Sequence, residues 1–237
     1  MLDLLRYSKN YIEKLSKKFN CKIISFHEYD DYSRFSNISF NCNFLNKTNR
    51  LKDYNVYYGP KYLIINSKIK DFNNIKKKNY IYINFGGSDP SSFMEKFIKA
   101  ENNIKTKEKF ILDIGILKKK NFQMPSDNYK IRNSEHCIFK TMSESKLNIV
   151  SAGNIMYESI YFNKKTIVLA HNKHQEKFAK EVHKKGFIRY IGMGKNINFY
   201  DLAVSLKEKN YSILTIKKSN IDILGANRIA NLIKNLV

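Results

Sequence analysis

The sequence predicts an α/β protein built on a doubly wound parallel sheet, and three observations predict it. From about residue 75 onward, short apolar runs rich in Ile, Val, Tyr and Phe alternate with helical segments. Two of those runs end directly in glycine-containing turns, Gly86-Gly87 and Ser151-Ala152-Gly153. A hydrophobic content of 43% over 237 residues supplies a sizeable core. Strands that alternate with helices place the helices on both faces of a parallel sheet.

Taken in order, Leu2, Leu5, Ile12, Leu15 and Phe19 recur among charges and predict an amphipathic helix over 2–19. Residues 21–26 read as a short strand. Residues 27–60 are polar and Asn-rich, with a second short strand near 38–40, and Gly59-Pro60 marks a turn. After Lys76-Lys77-Lys78 the pattern becomes regular: strand 80–85, helix 91–101 and strand 109–114. Helix 135–145, strand 147–150 and helix 155–163 follow. Strand 166–170, helix 175–185, strand 187–191, helix 198–208 and a last helix over 220–236 complete the chain. Residues 71–237 are therefore expected to form one complete domain. Residues 1–70 hold too few strands for a second and are expected to be part of one.

Lys+Arg 43 against Asp+Glu 21 gives a net charge of +22. Only six of the cationic residues are arginine (Arg6, Arg34, Arg50, Arg132, Arg189 and Arg228), whereas readers of phosphate and base edges favour the planar arginine fork. A lysine-, asparagine- and isoleucine-rich chain also follows from coding bias, so no nucleic-acid partner is expected. Cys21, Cys42 and Cys137 are odd in number and include no C-x-x-C, which argues against a disulfide framework or a zinc knuckle. The N-terminal MLDLLRYSKNYIEKL lacks the apolar core of a signal peptide, and no apolar run approaches the roughly 18 residues of a membrane span. A cytoplasmic protein is expected.

In a parallel α/β sheet the loops that follow strands emerge at the carboxyl edge, where ligands bind. Gly86-Gly87-Ser88-Asp89-Pro90 joins a strand to a helix: its glycines let backbone N–H groups approach a phosphate, and a helix N-terminus favours negative charge. The same residues equally make a tight turn with Asp89 as N-cap and Pro90 as first helical residue. Ser151-Ala152-Gly153-Asn154 repeats the arrangement, with Glu158 four residues into the next helix. Glu158 either complements the helix dipole or accepts ribose hydroxyls. His171-Asn172-Lys173-His174-Gln175 follows a further strand. His171 and His174 have the spacing of a metal pair but no third ligand, so neither metal nor cofactor is expected; the loop either faces a sugar or phosphate or is a solvated helix start.

Together these loops carry a resemblance. Tyr58-Gly59-Pro60-Lys61-Tyr62-Leu63, Phe85 to Pro90, Ser151 to Glu158, Asn172 to Gln175 and Asp222 to Ala230 occur in one order over residues 58–230. In this the chain resembles the UDP-2,4-diacetamido-2,4,6-trideoxy-β-L-altropyranose hydrolases and the related spore-coat polysaccharide biosynthesis proteins. More distantly it is similar to the UDP-GlcNAc transferase of peptidoglycan synthesis. The resemblance implies a GT-B-type fold of two Rossmann-like domains, the C-terminal one complete and the N-terminal one partial. It implies a UDP-sugar or other nucleotide-sugar ligand, with hydrolysis or glycosyl transfer in surface-glycan or pseudaminic-type acid synthesis. Glu158 would hold the ribose, Gly86, Gly87, Ser88 and Ser151, Ala152, Gly153 and Asn154 the pyrophosphate, and Asn172 and Gln175 the sugar or phosphates, with Asp89 also among the nucleotide- or substrate-binding residues.

The chain also departs from that pattern. Family members begin with a strand and a Gly-rich loop carrying a histidine, and no such segment is present in this sequence. His27, Asp30 and Asp31 are the remaining candidates for a catalytic group. Asn154 replaces the usual second glycine of its loop. The alternative is a non-catalytic nucleotide-sugar-binding module completed by a partner chain. A sheet edge near 21–40 left uncovered would then promote pairing with that chain or with a second copy.

Overall fold

The computed structural model describes residues 9–19, 22–26, 36–44, 56–114, 126–132 and 137–235. The chain divides into two units, Met1–Asn66 with Ile221–Val237, and Ser67–Asn220.

In the first unit α1 (Lys9–Lys18) precedes β1 (Ile24–Phe26), β2 (Ile38–Asn41) and β3 (Val56–Tyr58), which pair in parallel in that order. Register places Phe26, Phe40 and Tyr57 side by side, and their rings stack at 5.3 and 5.6 Å. Such cross-strand aromatic pairs are what stabilise a short sheet. Ile38, Phe40 and Tyr62 form the core with Ile229 of the C-terminal helix Gly225–Lys234, and Leu232 and Ile233 pack against it. That helix approaches very closely: a Cβ on Gly225 would lie 2.0 Å from the Leu63 carbonyl oxygen. Arg228 clamps its start, donating to both Asp222 carboxylate oxygens (2.7 and 2.6 Å) and to the Lys61 carbonyl (2.9 Å).

The second unit runs β4 (Ile81–Asn84), α2 (Phe93–Ile104), β5 (Phe110–Asp113), β6 (Tyr129–Arg132), α3 (Ile138–Glu144) and β7 (Leu147–Ser151). It continues with α4 (Asn154–Tyr161), β8 (Thr166–Ala170), α5 (Lys173–Lys184), β9 (Arg189–Met193) and α6 (Phe199–Lys207). All its strand pairs are parallel, in the order β6-β5-β4-β7-β8-β9. Two βαβ halves thus wind outward from the β4–β7 junction, the arrangement of a dinucleotide-binding sheet.

Period-two alternation separates the faces of this sheet. Ile81, Ile83, Leu147, Ile149, Ile167 and Leu169 meet Phe93, Phe97, Leu202 and Leu206 of α2 and α6 in one apolar core. The intervening positions are partly polar. Asn148 donates to Ser159 of α4 (2.7 Å), which shares a hydrogen bond with Thr166 (2.6 Å), so α4 docks through satisfied polar groups.

Besides shifts of one to three residues at the ends of α3, α5 and β9, the structure differs from expectation in four places. Strands β3 and β6 carry no clear signal in sequence: β3 is three residues (Val56–Tyr58) beside a polar, Asn-rich stretch, and β6 (Tyr129–Arg132) is half charged. The last helix is Gly225–Lys234, shorter than 220–236, because Asp222 and Leu224 form the turn before it. That helix and its approach belong to the first unit rather than to a domain ending at 237, because its apolar face covers Phe40 and Tyr62. Helix 91–101 begins instead at Phe93 and extends to Ile104.

Candidate functional site

The strand order reverses between β4 and β7, and a crevice opens outside the carboxyl ends of strands at such a point. A pocket of about 370 Å³ lies there, within the size range of small-molecule sites. The β4 strand and its loop contribute Asn84, Phe85, Gly86, Ser88 and Pro90 to it. From β7 and α4 come Ser151, Gly153, Asn154, Ile155 and Glu158; from the β8–α5 junction come His171, Asn172 and Gln175; Ile138 of α3 completes the wall. In a chain of net charge +22, no lysine or arginine among the described residues lines it.

Among the helices that start near this edge, α2, α4 and α5 differ in how their first amides are satisfied. At α2 the carboxylate of buried Asp89 accepts from the amides of Phe93 (2.9 Å) and Met94 (3.0 Å). Asp89 therefore caps α2 as the sequence allows, but from four residues upstream. Asp89 and Ser92 adopt left-handed backbone, φ 39° and 51°, to bring the carboxylate there. At α5, Asn172 is the N-cap: its Oδ1 accepts from the Gln175 amide (3.0 Å), and Gln175 Oε1 accepts in return from the His171 amide (2.8 Å). This is close to a capping box, and it leaves the two side-chain NH₂ groups as donors. At α4 the N-cap is Gly153, which has no side chain to cap with. Among the described residues, the amides of Asn154 and Ile155 donate to no protein acceptor, and neither do those of Gly87 and Ser88. Unspent amides at a helix start are anion-binding groups.

Glu158 lies one turn further along α4, half-buried in the pocket wall. Its carboxyl has no protein hydrogen-bond donor among the described residues, and burial alone raises its pKa to about 7. It is the one carboxylate among the lining residues described. A desolvated carboxyl beside unspent amides has the chemistry to accept hydroxyl donors while an anion sits on the helix start.

Beneath the first loop, Gly86 takes φ 88°, a conformation for glycine, and its amide donates to Asn84 Oδ1 (2.7 Å). The imidazole of His171 lies flat on Phe93, with centroids 4.4 Å apart and planes at 10°, and its Nε2 bonds the Phe85 carbonyl at 2.9 Å. His174 instead packs edge-on against Phe178. The two histidines thus serve different neighbours. Among the described residues no cluster of three or more His, Cys, Asp or Glu is arranged for a metal.

Of the residues singled out in sequence, Gly86, Ser88, Ser151, Gly153, Asn154, Glu158, Asn172 and Gln175 are brought together around the pocket. Gly87 is exposed beside it, and Asp89 is committed to capping. Ala152 is buried, its amide donating to the Leu169 carbonyl at 2.8 Å. His27, Asp30 and Asp31 lie outside the described residues. Asn84, Phe85 and Ile138 were missed by sequence reasoning; the asparagine at the strand end, two residues before glycine, was the available signal for the first.

No family model matches the chain, and no curated protein matches it. Solved structures do. The glycotransferase of kitacinnamycin superposes with a TM-score of 0.60 at 13% identity, over 96% of this chain and 61% of that one. UGT89C1 of Arabidopsis thaliana, solved in complex with UDP, gives 0.57 at 12% identity over 94% and 70%. A putative UDP-N-acetylglucosamine 2-epimerase from Listeria monocytogenes gives 0.51 at 13% over 99% and 82%. The chain spans about three fifths of the length of the first of these. At such identities the likeness is one of fold, and the fold is α/β with a Rossmann-like, doubly wound parallel sheet.

Proposed function

We propose that residues 67–220 bind the nucleoside diphosphate part of a nucleotide sugar, a UDP-sugar in the first instance, and that the chain takes part in processing it. The observation that carries this reading is the pairing of Glu158, a desolvated carboxyl without a protein donor, with the uncapped start of α4 in one pocket. The α4 amides and those of Gly87 and Ser88 receive the diphosphate, and Glu158 accepts the ribose hydroxyls. Asn172 and Gln175 offer NH₂ donors to the sugar or to phosphate oxygens. Supporting the reading, structures of similar fold are glycosyltransferases, one of them solved with UDP. The reaction at the anomeric C–O bond is hydrolysis or glycosyl transfer, and the resemblance noted in the sequence favours surface-glycan or pseudaminic-type acid synthesis. Either reaction needs a base near the anomeric carbon, for which His27, Asp30 and Asp31 are the sequence candidates.

Isothermal titration with UDP tests the binding. A dissociation constant within the roughly 1 μM–1 mM range of enzyme substrates is expected, weakened tenfold or more in Glu158→Ala. Absence of UDP heat, or an unchanged Glu158→Ala, overturns the reading. Incubation with UDP-amino sugars then separates an enzyme, which releases UDP, from a module that only binds.

A further inference from the structure

We propose that a buried line of three side chains, Asp113, Tyr82 and Asn84, is a positioning relay that fixes the Gly86 turn in the conformation that receives phosphate. The inference rests on the nucleotide reading above.

The line is continuous. Tyr82 Oη donates to Asp113 Oδ2 at 3.0 Å and accepts from Asn84 Nδ2 at 3.0 Å; Asn84 Oδ1 then accepts from the Gly86 amide at 2.7 Å. Tyr82 and Asn84 are two residues apart on β4, and Asn84 is the register partner of Asp113 on β5, so all three stand on one face of the sheet. They are 1%, 7% and 3% exposed, which makes them part of the interior rather than of a solvated rim. Burial first, and the neighbouring Asp113 carboxylate second, hold the Tyr82 phenol protonated well beyond its ordinary range, so it remains a donor.

Such a line is costly to bury, and apolar residues of similar volume would pack the same space without any need for partners. The opposite face of β4, Ile81 and Ile83, is built that way. What the polar line adds is direction. Asn84 carries both a donor and an acceptor; Tyr82 takes the donor, so the oxygen must face Gly86. That turns the Gly86 amide inward and fixes the loop from which Gly87 and Ser88 follow with their amides unspent. A Cβ at Gly86 would touch Ser151 Oγ at 3.5 Å, so the turn is also seated against the second loop of the pocket. Asp113 and Tyr82 act through Asn84, and neither lines the pocket.

The test is a split between ligands. Titrate the full chain and its Tyr82→Phe, Asn84→Ala and Asn84→Ser variants with UDP and with uridine, checking each fold by circular dichroism. The relay predicts that Tyr82→Phe and Asn84→Ala weaken UDP about fivefold to tenfold, leave uridine within about twofold, and that Asn84→Ser, whose hydroxyl makes the same local turn more weakly, recovers part of the loss. A role confined to stability would lower both ligands together, and that result overturns the relay. Should wild type bind UDP while no variant alters the UDP-to-uridine ratio, the relay falls and the nucleotide reading stands. Should wild type bind neither ligand, the nucleotide reading falls and the relay with it. If Asn84→Ala fails to fold, hydrogen exchange at the Gly86 amide in Tyr82→Phe decides: faster exchange than wild type supports the tether, and an unchanged rate removes it.

Discussion

Asn172 and Gln175 use their side-chain oxygens on each other's turn of backbone, Oδ1 on the Gln175 amide and Oε1 on the His171 amide, so that the pocket side retains only their NH₂ groups. Replacing either amide by its carboxylate keeps the oxygen that caps α5 and exchanges a donor for negative charge. Asn172→Asp and Gln175→Glu are therefore expected to melt within a degree or two of wild type. UDP binding should weaken about tenfold, or about 1.4 kcal/mol. Paired thermal melts and titrations check this, and equal affinity in both variants would place these residues outside the ligand's reach.

Gly153 leaves α4 without a cap, and an added Cβ there meets nothing within 4 Å. Gly153→Asp is expected to stabilise the fold by a few tenths of a kcal/mol through capping, with about 0.3–1 kcal/mol more from the helix dipole. The same carboxylate occupies the amides offered to phosphate, so UDP binding should fall by tenfold or more. Gly153→Ser, a neutral cap, should lose less. A Gly153→Asp protein that is both more stable and fully binding would contradict the role given to α4.

Burial raises the Glu158 carboxyl to about 7 from an ordinary 4.5. The folded state then holds a proton that the unfolded state has released, so stability is greatest below about pH 4.5 and declines as pH rises toward 7. Glu158→Gln removes this dependence. The variant should match wild type near pH 4.5 and melt higher at pH 8, by about 2–4 °C for each kcal/mol relieved. Wild-type UDP binding should strengthen as pH rises through 7, because the charged carboxylate is the better acceptor of hydroxyls; binding by the variant should be flat over the same interval. Melts and titrations at three pH values measure both.

Asp89 is expected to serve the structure rather than the ligand, because its carboxylate already accepts from two α2 amides. Asp89→Ala removes two bonds to the start of α2 and should cost about 0.5–2 kcal/mol, with Asn partly restoring it at this left-handed position. UDP affinity should stay within about twofold. A larger loss of binding than of stability would return Asp89 to the site.

How far the sequence reveals this protein depends on where information is local. The strands over 80–85, 147–150 and 166–170 are continuous apolar runs bounded by turns, and all three are present with ends shifted by at most one residue. Tyr129–Arg132 has two exposed positions and a charged residue at its end, so no run marks it; its pairing with β5 alone makes it a strand. Ser151, Gly153, Asn154 and Glu158 were found because a glycine turn opening a helix is a local signal. Asn84 and Asp113 were not found because their partnership spans two strands and exists only once register is set. Asp89 shows the limit from the other side. Its residue type announced a cap, but whether the carboxylate turned to helix amides or to a ligand depended on a backbone conformation invisible in the letters.

The C-terminal helix has a genetic consequence. Residues 67–220 are one uninterrupted stretch, whereas the first unit is drawn from residues on both sides of it and needs Ile229, Leu232 and Ile233 to cover Phe40 and Tyr62. A frameshift just after Asn220 would spare every pocket residue named above while stripping an apolar cover from β1, β2 and β3, which are translated before it. The lesion would lie on one side of the 67–220 stretch and the folding defect on the other.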